Sequence, residues 1–382
     1  MKYILPKINK ATCILYCVML YFCQTVKAQL DNTFLESPFT FQDENTWGVS
    51  IYNHNYIRNT EYFNPIEKGR TLFGYQLNPS LYLQPTKQVK LQAGIFLQSN
   101  FGETPVINTI LPTFSLKFSN KSQDLFLLFG TLEGALSHRL IEPLFDINSG
   151  ILNRIENGIQ FKVNKPHVFL DTWINWEKFI EPNAPYQEQF TSGINFTPSF
   201  NKNTWRFAIP IQATIFHRGG QIDNDSSNMI LMYNGAVGLD IQKKIIGGRF
   251  KQIGVSGYSV ISNEQTSSGY LPFRTGSGIL ANLFTNFGNT TLMFSYWNAN
   301  TFIAPKGTHI YQSVSYNDPS YTTNNRTLLF FRLLYQKEII NSLTVVGRVE
   351  PFYDFGYKQV ELCFSFYLSY RFEKALGKLT KE

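Results

Sequence analysis

Residues 358–372 read KQVELCFSFYLSYRF, and the even positions Val360, Leu362, Phe364, Phe366, Leu368, Tyr370 and Phe372 are all apolar or aromatic. The odd positions, Gln359, Glu361, Cys363, Ser365, Tyr367, Ser369 and Arg371, are mostly polar. A period of two held over this length predicts a strand with one greasy and one polar face. The pattern recurs upstream. Val89, Leu91, Ala93, Ile95 and Leu97 alternate with Lys90, Gln92, Gly94, Phe96 and Gln98, and Val168, Leu170, Thr172, Ile174 and Trp176 alternate with a second set that holds His167, Asp171, Asn175 and Glu177 together with Phe169 and Trp173.

Sixteen segments carry a strand signal: 48–53, 71–84, 88–99, 109–119, 123–133, 156–164, 167–178, 188–198, 203–217, 229–243, 251–263, 277–287, 290–299, 326–337, 342–354 and 358–372. Several reach the length of about ten residues that a tilted strand needs to cross a bilayer. The first is the weakest. Fourteen strands is the alternative count, since a single-chain bacterial barrel has an even number. The connections alternate in length. Short ones (85–87, 120–122, 165–166, 199–203, 244–250, 288–289 and 339–341) are interleaved with long ones (54–70, 100–108, 134–155, 179–187, 218–228, 264–276 and 300–325), and only the hairpin at 355–357 breaks the rule. A soluble sandwich has no reason to sort its turns this way, whereas an outer-membrane barrel has short periplasmic turns and long external loops. Two features fit less well: Pro79 and Pro210 fall inside strands, where each removes a ladder hydrogen bond, and the fifth strand, Leu125 to Leu132, is apolar on both faces.

The ends agree with export. Lys2, Lys7 and Lys10 precede an apolar run from Ala11 to Cys23, and Val26-Lys27-Ala28 supplies small residues for cleavage before Gln29, so residues 1–28 read as a signal peptide of the general secretion route. Its removal takes away four lysines and no acid, lowering the formal net charge from +7 to +3. It also takes Cys13, Cys17 and Cys23, leaving Cys363 alone, so neither a disulfide nor a cysteine metal site is available within one chain. Beyond the leader no apolar run is long enough for a spanning helix, and a membrane location would have to be reached through strands. Aromatic residues make up 16% of the chain, yet mean hydropathy is only −0.16, the balance expected when apolar outside and polar inside average out.

Together these features predict an all-β, transmembrane, antiparallel up-and-down barrel. Its expected parts are a periplasmic N-terminal segment at 29–46, the barrel at 47–372 and a periplasmic tail at 373–382. The chain resembles the Gram-negative outer-membrane β-barrels, and among them the sixteen-stranded porins. The terminal Tyr370-Arg371-Phe372 is similar to the aromatic-ended assembly signal of that group, from which the extra residues Glu373 to Glu382 depart. The resemblance implies location in the cell outer membrane and contact with its lipid.

A barrel of about sixteen strands leaves an aqueous lumen. By strand parity Lys90, Lys117, Lys162, Arg206, Arg332, Arg348 and Arg371 point inward, as do Glu156, Asp171, Glu177, Asp240, Glu350 and Glu361. Such charges either tune ion passage or merely solvate and pair with one another. The third long connection holds Leu140, Ile141, Leu144 and Phe145 and is too apolar for an exposed loop. In porins, which the chain resembles, the third external loop folds into the lumen. The same fold here would place His138, Arg139 and Glu142 near a constriction, and the alternative is packing against other external loops.

Catalytic signals are few. His54, His138, His167, His217 and His309 have no metal spacing between them, Ser262-Asn263 lacks the nearby His of the outer-membrane phospholipase pattern, and phosphate loops are absent. Scattered basic residues argue against nucleic-acid binding. The sequence therefore favours a porin-like channel for passive diffusion of small hydrophilic solutes with a weak anion preference, without enzymatic activity, cofactor or metal. Its partners would be lipid, small solutes, and further copies of itself or another outer-membrane protein. Two alternatives stand beside it: a non-conducting subunit of an assembly, secretion or adhesion complex, and a transporter of hydrophobic molecules in which Leu30 to Thr46 plugs a lumen lined by Phe96, Phe169, Trp173, Phe216 and Trp297.

Overall fold

The computed structural model describes residues 32–36, 40–220, 222–266 and 271–379, so the expected leader lies outside the described residues. Among the described residues, alternation of apolar and polar side chains produces seventeen antiparallel strands: β1 (Thr46–Glu61), β2 (Thr71–Thr86), β3 (Val89–Asn100), β4 (Thr109–Ser119), β5 (Leu125–Thr131), β6 (Asn157–Lys165), β7 (Val168–Lys178), β8 (Gln189–Lys202), β9 (Trp205–Ala208), β10 (Ile211–Arg218), β11 (Ile230–Lys244), β12 (Phe250–Glu264), β13 (Thr275–Phe287), β14 (Thr290–Asn300), β15 (Asn325–Ile340), β16 (Leu343–Asp354) and β17 (Gln359–Lys378). Apart from β9 and β10, consecutive strands pair with each other, and β1 pairs with both β2 and β17, which closes the sheet. β9 and β10 both pair with β8 and with β11, so they are two halves of one wall position split at Pro210, and the barrel has sixteen positions. The split is where the sequence placed an irregularity. Pro210 cannot donate, but its carbonyl still accepts from Gly238 N at 2.9 Å.

Three boundaries differ from the sequence expectation. β1 runs to Glu61 rather than ending near 53, because Tyr52, His54, Tyr56, Arg58 and Thr60 are buried inward while Asn53 bonds the neighbouring backbone at Gln76 O (3.1 Å), so polar residues on both faces hide the alternation. Glu373 onward, expected as a tail, continues β17 to Lys378 because Thr46 to Ser50 offer it a partner. The fifth strand keeps only seven residues. Its inner face meets protein, with Leu128 1% exposed, and the chain leaves the wall after Gly130, whose φ of +96° only glycine adopts readily.

Large apolar side chains such as Leu81, Ile95, Phe129, Val255, Ile279 and Phe366 are exposed on the outside, where hydrocarbon rather than water solvates them. The buried core lies inside the cylinder. Residues of the connection between β5 and β6 (Leu140, Ile141, Leu144) pack with those of the connection between β14 and β15 (Phe302, Ala304, Ile310, Tyr311) and with inward Trp173 and Trp297. Phe34 and Leu35, ahead of β1, are buried with Tyr56, Ile147, Ile151 and Tyr367 in a second inner cluster.

Candidate functional site

The inner loop 132–156 leaves the wall and returns to it with Leu132 N donating to Glu156 O at 2.9 Å. Gly134 (φ +87°) and Arg139 (φ +55°) turn it inward, and Ala135–His138 forms a single 3₁₀ turn that presents His138 to the wall. On the wall side, the period of two along β7 aligns Asp171, Trp173 and Asn175 toward the lumen, and β6 adds Gln160 and Lys162.

His138 sits between two carboxylates, Nδ1 3.0 Å from Asp171 and Nε2 3.0 Å from Glu156, and its ring stacks on Trp173 with centroids 3.4 Å apart. Burial alone would lower its pKa. The two carboxylates outweigh burial and push it up to about 9, so the ring is an imidazolium at neutral pH. Asp171 also accepts from Gln160 Nε2 at 3.0 Å and lies 3.9 Å from Lys162. Lys162 and Lys117 both grip Glu133, at 2.7 and 2.9 Å. Burial would raise the Glu133 carboxyl, but these two lysines hold it well below the usual carboxylate range. Charges of alternating sign thus run from Lys117 to Glu156 along the seam between wall and inner loop.

A second network joins the two inner loops to the opposite wall. Arg332 Nη2 donates to Glu142 at 2.6 Å and to the Tyr311 hydroxyl at 2.7 Å, and the Tyr311 hydroxyl itself donates to Glu142 at 2.5 Å. Glu350 takes Arg348 Nε at 2.5 Å, while Arg348 Nη1 reaches Asn32 at 2.7 Å. Arg371 Nη2 donates to Phe34 O at 2.7 Å, so inward arginines hold the N-terminal segment. Lys90 pairs with Glu373 in the extended part of β17 and donates to Thr40 O at 2.6 Å. Glu361 accepts from Asn64 at 2.6 Å, and Arg206 lies 4.0 Å from Asp240 with its side chain 30% exposed. Arg139 stacks on Phe169 at 4.4 Å and faces Glu36 at 3.6 Å.

The inward residues expected from parity are therefore brought together, but as paired and mostly dry groups: Lys90, Asp171, Arg332 and Arg348 are 2% exposed or less. His138, Arg139 and Glu142 stand on a loop that does fold inward. Glu133, Tyr311 and Lys306 were not singled out by the sequence, since their partners lie on segments far away in the chain.

Between the inner loop and the wall lies a cavity of about 590 Å³. Leu140, Leu144, Phe145, Leu152 and Trp173 give it an apolar side, and His138, Glu156, Glu177 and Lys306 a charged one. Glu177 accepts from Lys306 Nζ at 2.7 Å, from the Thr191 hydroxyl at 2.6 Å and from Gln189. Among the described residues no group of three or more His, Cys, Asp and Glu is placed to hold a metal ion.

The family model described as "Lipid A 3'-O-deacylase-type" matches residues 39–379. A search of curated protein sequences finds no match. Among solved structures the chain is similar to a loop L8 deletion mutant of OmpT, an outer membrane protein of Vibrio cholerae (10% identity, TM-score 0.51, covering 86% of this chain and 100% of that one). It is also similar to OccAB3 of Acinetobacter baumannii (10% identity, TM-score 0.50, 86% and 99% covered) and to the outer membrane protein OprD of Pseudomonas aeruginosa (9% identity, TM-score 0.50, 88% and 98% covered). At these identities the likeness shows the fold, which is that of an outer-membrane β-barrel.

Proposed function

We propose a function from the premise that this chain belongs to the lipid A 3'-O-deacylase-type family: it holds an acylated glycolipid of the lipid A kind in the cleft between the inner loop and β7. The observation that carries this reading is the two-sided chemistry of the 590 Å³ cavity. Leu140, Leu144 and Phe145 offer an acyl chain the apolar surface it seeks, and Lys306, whose side chain is 29% exposed, offers an ammonium that a phosphorylated sugar can share with Glu177.

The family description brings acyl-ester hydrolysis with it. A hydroxyl within hydrogen-bond reach of a carboxylate, as Thr191 is of Glu177, is one of the arrangements from which such a reaction can start. Lys306 and Gln189 bond the same carboxylate, so its oxygens are already engaged where a general base would need one free, which favours holding over cleaving.

The test is to incubate the purified barrel with lipid A in detergent, separate the complex and weigh the lipid by mass spectrometry. Retained lipid with its mass intact supports a binding protein, and loss of one acyl chain supports a deacylase, against the sequence expectation of no enzymatic activity. Absence of any retained lipid sinks the reading.

The second reading is the passive diffusion of small hydrophilic solutes, with a weak anion preference, that the sequence favoured. The sixteen-position circumference supports it, since a wall of that size encloses more space than its own side chains fill. It requires the inner loops to leave the lumen. Planar-bilayer recording decides it, with steady currents shifted toward cations by Arg348→Glu on one side and silence on the other.

A further inference from the structure

The wall is not equally tall all round. β4 pairs with β3 along its length, from Gln98↔Thr109 to Val89↔Phe118, but with β5 only from Ser115↔Gly130 to Ser119↔Phe126. β7 pairs with β8 up to Lys178↔Gln189, but its pairing with β6 stops at Gly158↔Asn175. On the long-loop side, then, Thr109 to Thr113 of β4 and Trp176 to Lys178 of β7 face each other with no strand between them. The chain that would have built β5 and β6 higher turns inward at Leu132 and comes back at Glu156. At ~3.3 Å rise per residue the opening is roughly 16 Å tall along the five residues of β4 and roughly 10 Å along the three of β7, and two missing strand positions make it about 14 Å wide between backbones.

The cavity described above lies behind this opening. Thr109 and Leu111 line it on one edge, Trp176 and Glu177 on the other. Ile110 (63% exposed), Phe114 and Phe179 stand outside, on the surface that meets lipid. A ladder edge left bare in hydrocarbon is costly, so an opening there needs polar partners for its backbone as well as apolar filling. An amphiphile supplies both.

We propose that the opening between β4 and β7 is a lateral doorway through which one acyl chain of an outer-leaflet lipid passes sideways into the cleft, while its headgroup stays at the β4 edge. The proposal rests on the reading of the cleft as a lipid site. It differs from access through the external loops or along the barrel axis. The doorway is held open from inside: His138 ties the inner loop to Asp171 of β7, and Glu142 ties it to Arg332 across the lumen, so the loop residues cannot swing back to complete the wall.

The experiment places a bimane fluorophore on Leu152→Cys, in the cavity lining, Cys363 being buried. The labelled barrel is reconstituted in phosphatidylcholine vesicles containing brominated-chain phospholipid, and separately exposed to brominated decanoate added from water to unbrominated vesicles. Quenching by the vesicle lipid is expected, with a loss of at least twofold when Leu111→Arg puts a charge across the doorway. Leu111→Ala, which widens it, should quench no less than the parent, and decanoate should quench all three. Equal quenching by vesicle lipid in the Leu111→Arg and parent barrels overturns the doorway while leaving the cleft reading intact. No quenching of the parent by either probe overturns both. A heat-shifted gel mobility common to all three variants establishes that each has folded.

Discussion

From β11 to β14 the wall is built of strands 15, 15, 13 and 11 residues long, and burial alternates almost without fault: in β12, Gln252, Gly254, Ser256, Tyr258, Val260 and Ser262 are inside, and Ile253, Val255 and Ile261 outside. From β4 to β7 the lengths are 11, 7, 9 and 11, and the shortest two flank the loop that fills the lumen. Both walls obey the same rule of dry outside and polar inside. They differ in where the chain spends its residues. The long wall is complete, whereas the short one gives up height and uses that length to carry His138 back against β7 and Glu142 across to Arg332. Chemistry collects where the wall is incomplete, because a closed ladder has satisfied its backbone and leaves nothing for a ligand.

The comparison breaks first at Glu142. This carboxylate is what the inner loop offers Arg332, which is 2% exposed. Glu142→Ala leaves a buried guanidinium short of its closest carboxylate, a loss of about 3–5 kcal/mol. Urea unfolding in detergent micelles should show this as a lowered midpoint, with protease cleavage appearing between residues 134 and 155. A loss below about 1 kcal/mol would mean that the inner loop and the far wall stand independently. Glu142→Gln, which keeps the shape and a hydrogen bond to Tyr311, should recover part of the loss.

How far the sequence revealed this division depends on which residues are asked. Strand alternation and the sorting of turn lengths gave the closed barrel, because both are local or periodic signals, whereas the inward fold of loop 134–155 was expected from the likeness to porins and from Leu140, Ile141, Leu144 and Phe145, beside the alternative of packing against other external loops. Phe34 and Leu35 inside the lumen match the plugging segment weighed there only as an alternative. Hidden from it were the full length of β1, whose outward Asn53 and Asn55 break the alternation, and the addition of Glu373 to β17. The partners Glu133, Tyr311 and Lys306 were also out of reach. Tyr311 meets Glu142 across 169 positions, a meeting fixed by two loops packing inside a cylinder and by no spacing within either. The doorway was invisible for a related reason: a strand that stops early looks, residue by residue, like a strand whose end is merely indistinct.

A second and smaller effect comes from pH. The pKa of His138 rises from 6.5 free to about 9 in the fold. The stabilisation it provides is complete below pH 6.5 and is lost as pH climbs through 9, up to about 3 kcal/mol in total. The inner loop should therefore loosen between pH 7 and 10 while the wall from β11 to β14 stays protected, a contrast that amide hydrogen exchange reads directly. His138→Gln should start looser and show no further change across that window. A loop equally protected at pH 7 and 10 in the parent would show that Asp171 and Glu156 do not hold the imidazolium.

The smallest effect sharpens the comparison most, because it applies one strain to two places. Gly134 opens the inner loop at φ +87°, and Gly247 sits in the short turn after β11 at φ +84°. At Gly247 an added Cβ would meet nothing within 4 Å, and at Gly134 only Arg154 O at 3.4 Å, so space is not the issue in either case. What alanine adds is the cost of a left-handed backbone, about 1–3 kcal/mol if the surroundings hold it there. An exposed turn of Ile245 to Arg249 can relax toward another conformation and shed most of that cost. The inner loop, pinned by His138 on one wall and Glu142 on the other, cannot. Gly134→Ala should thus lower the unfolding midpoint about twice as much as Gly247→Ala, and equal shifts would mean that the loop in the lumen is as free to adjust as a turn in water.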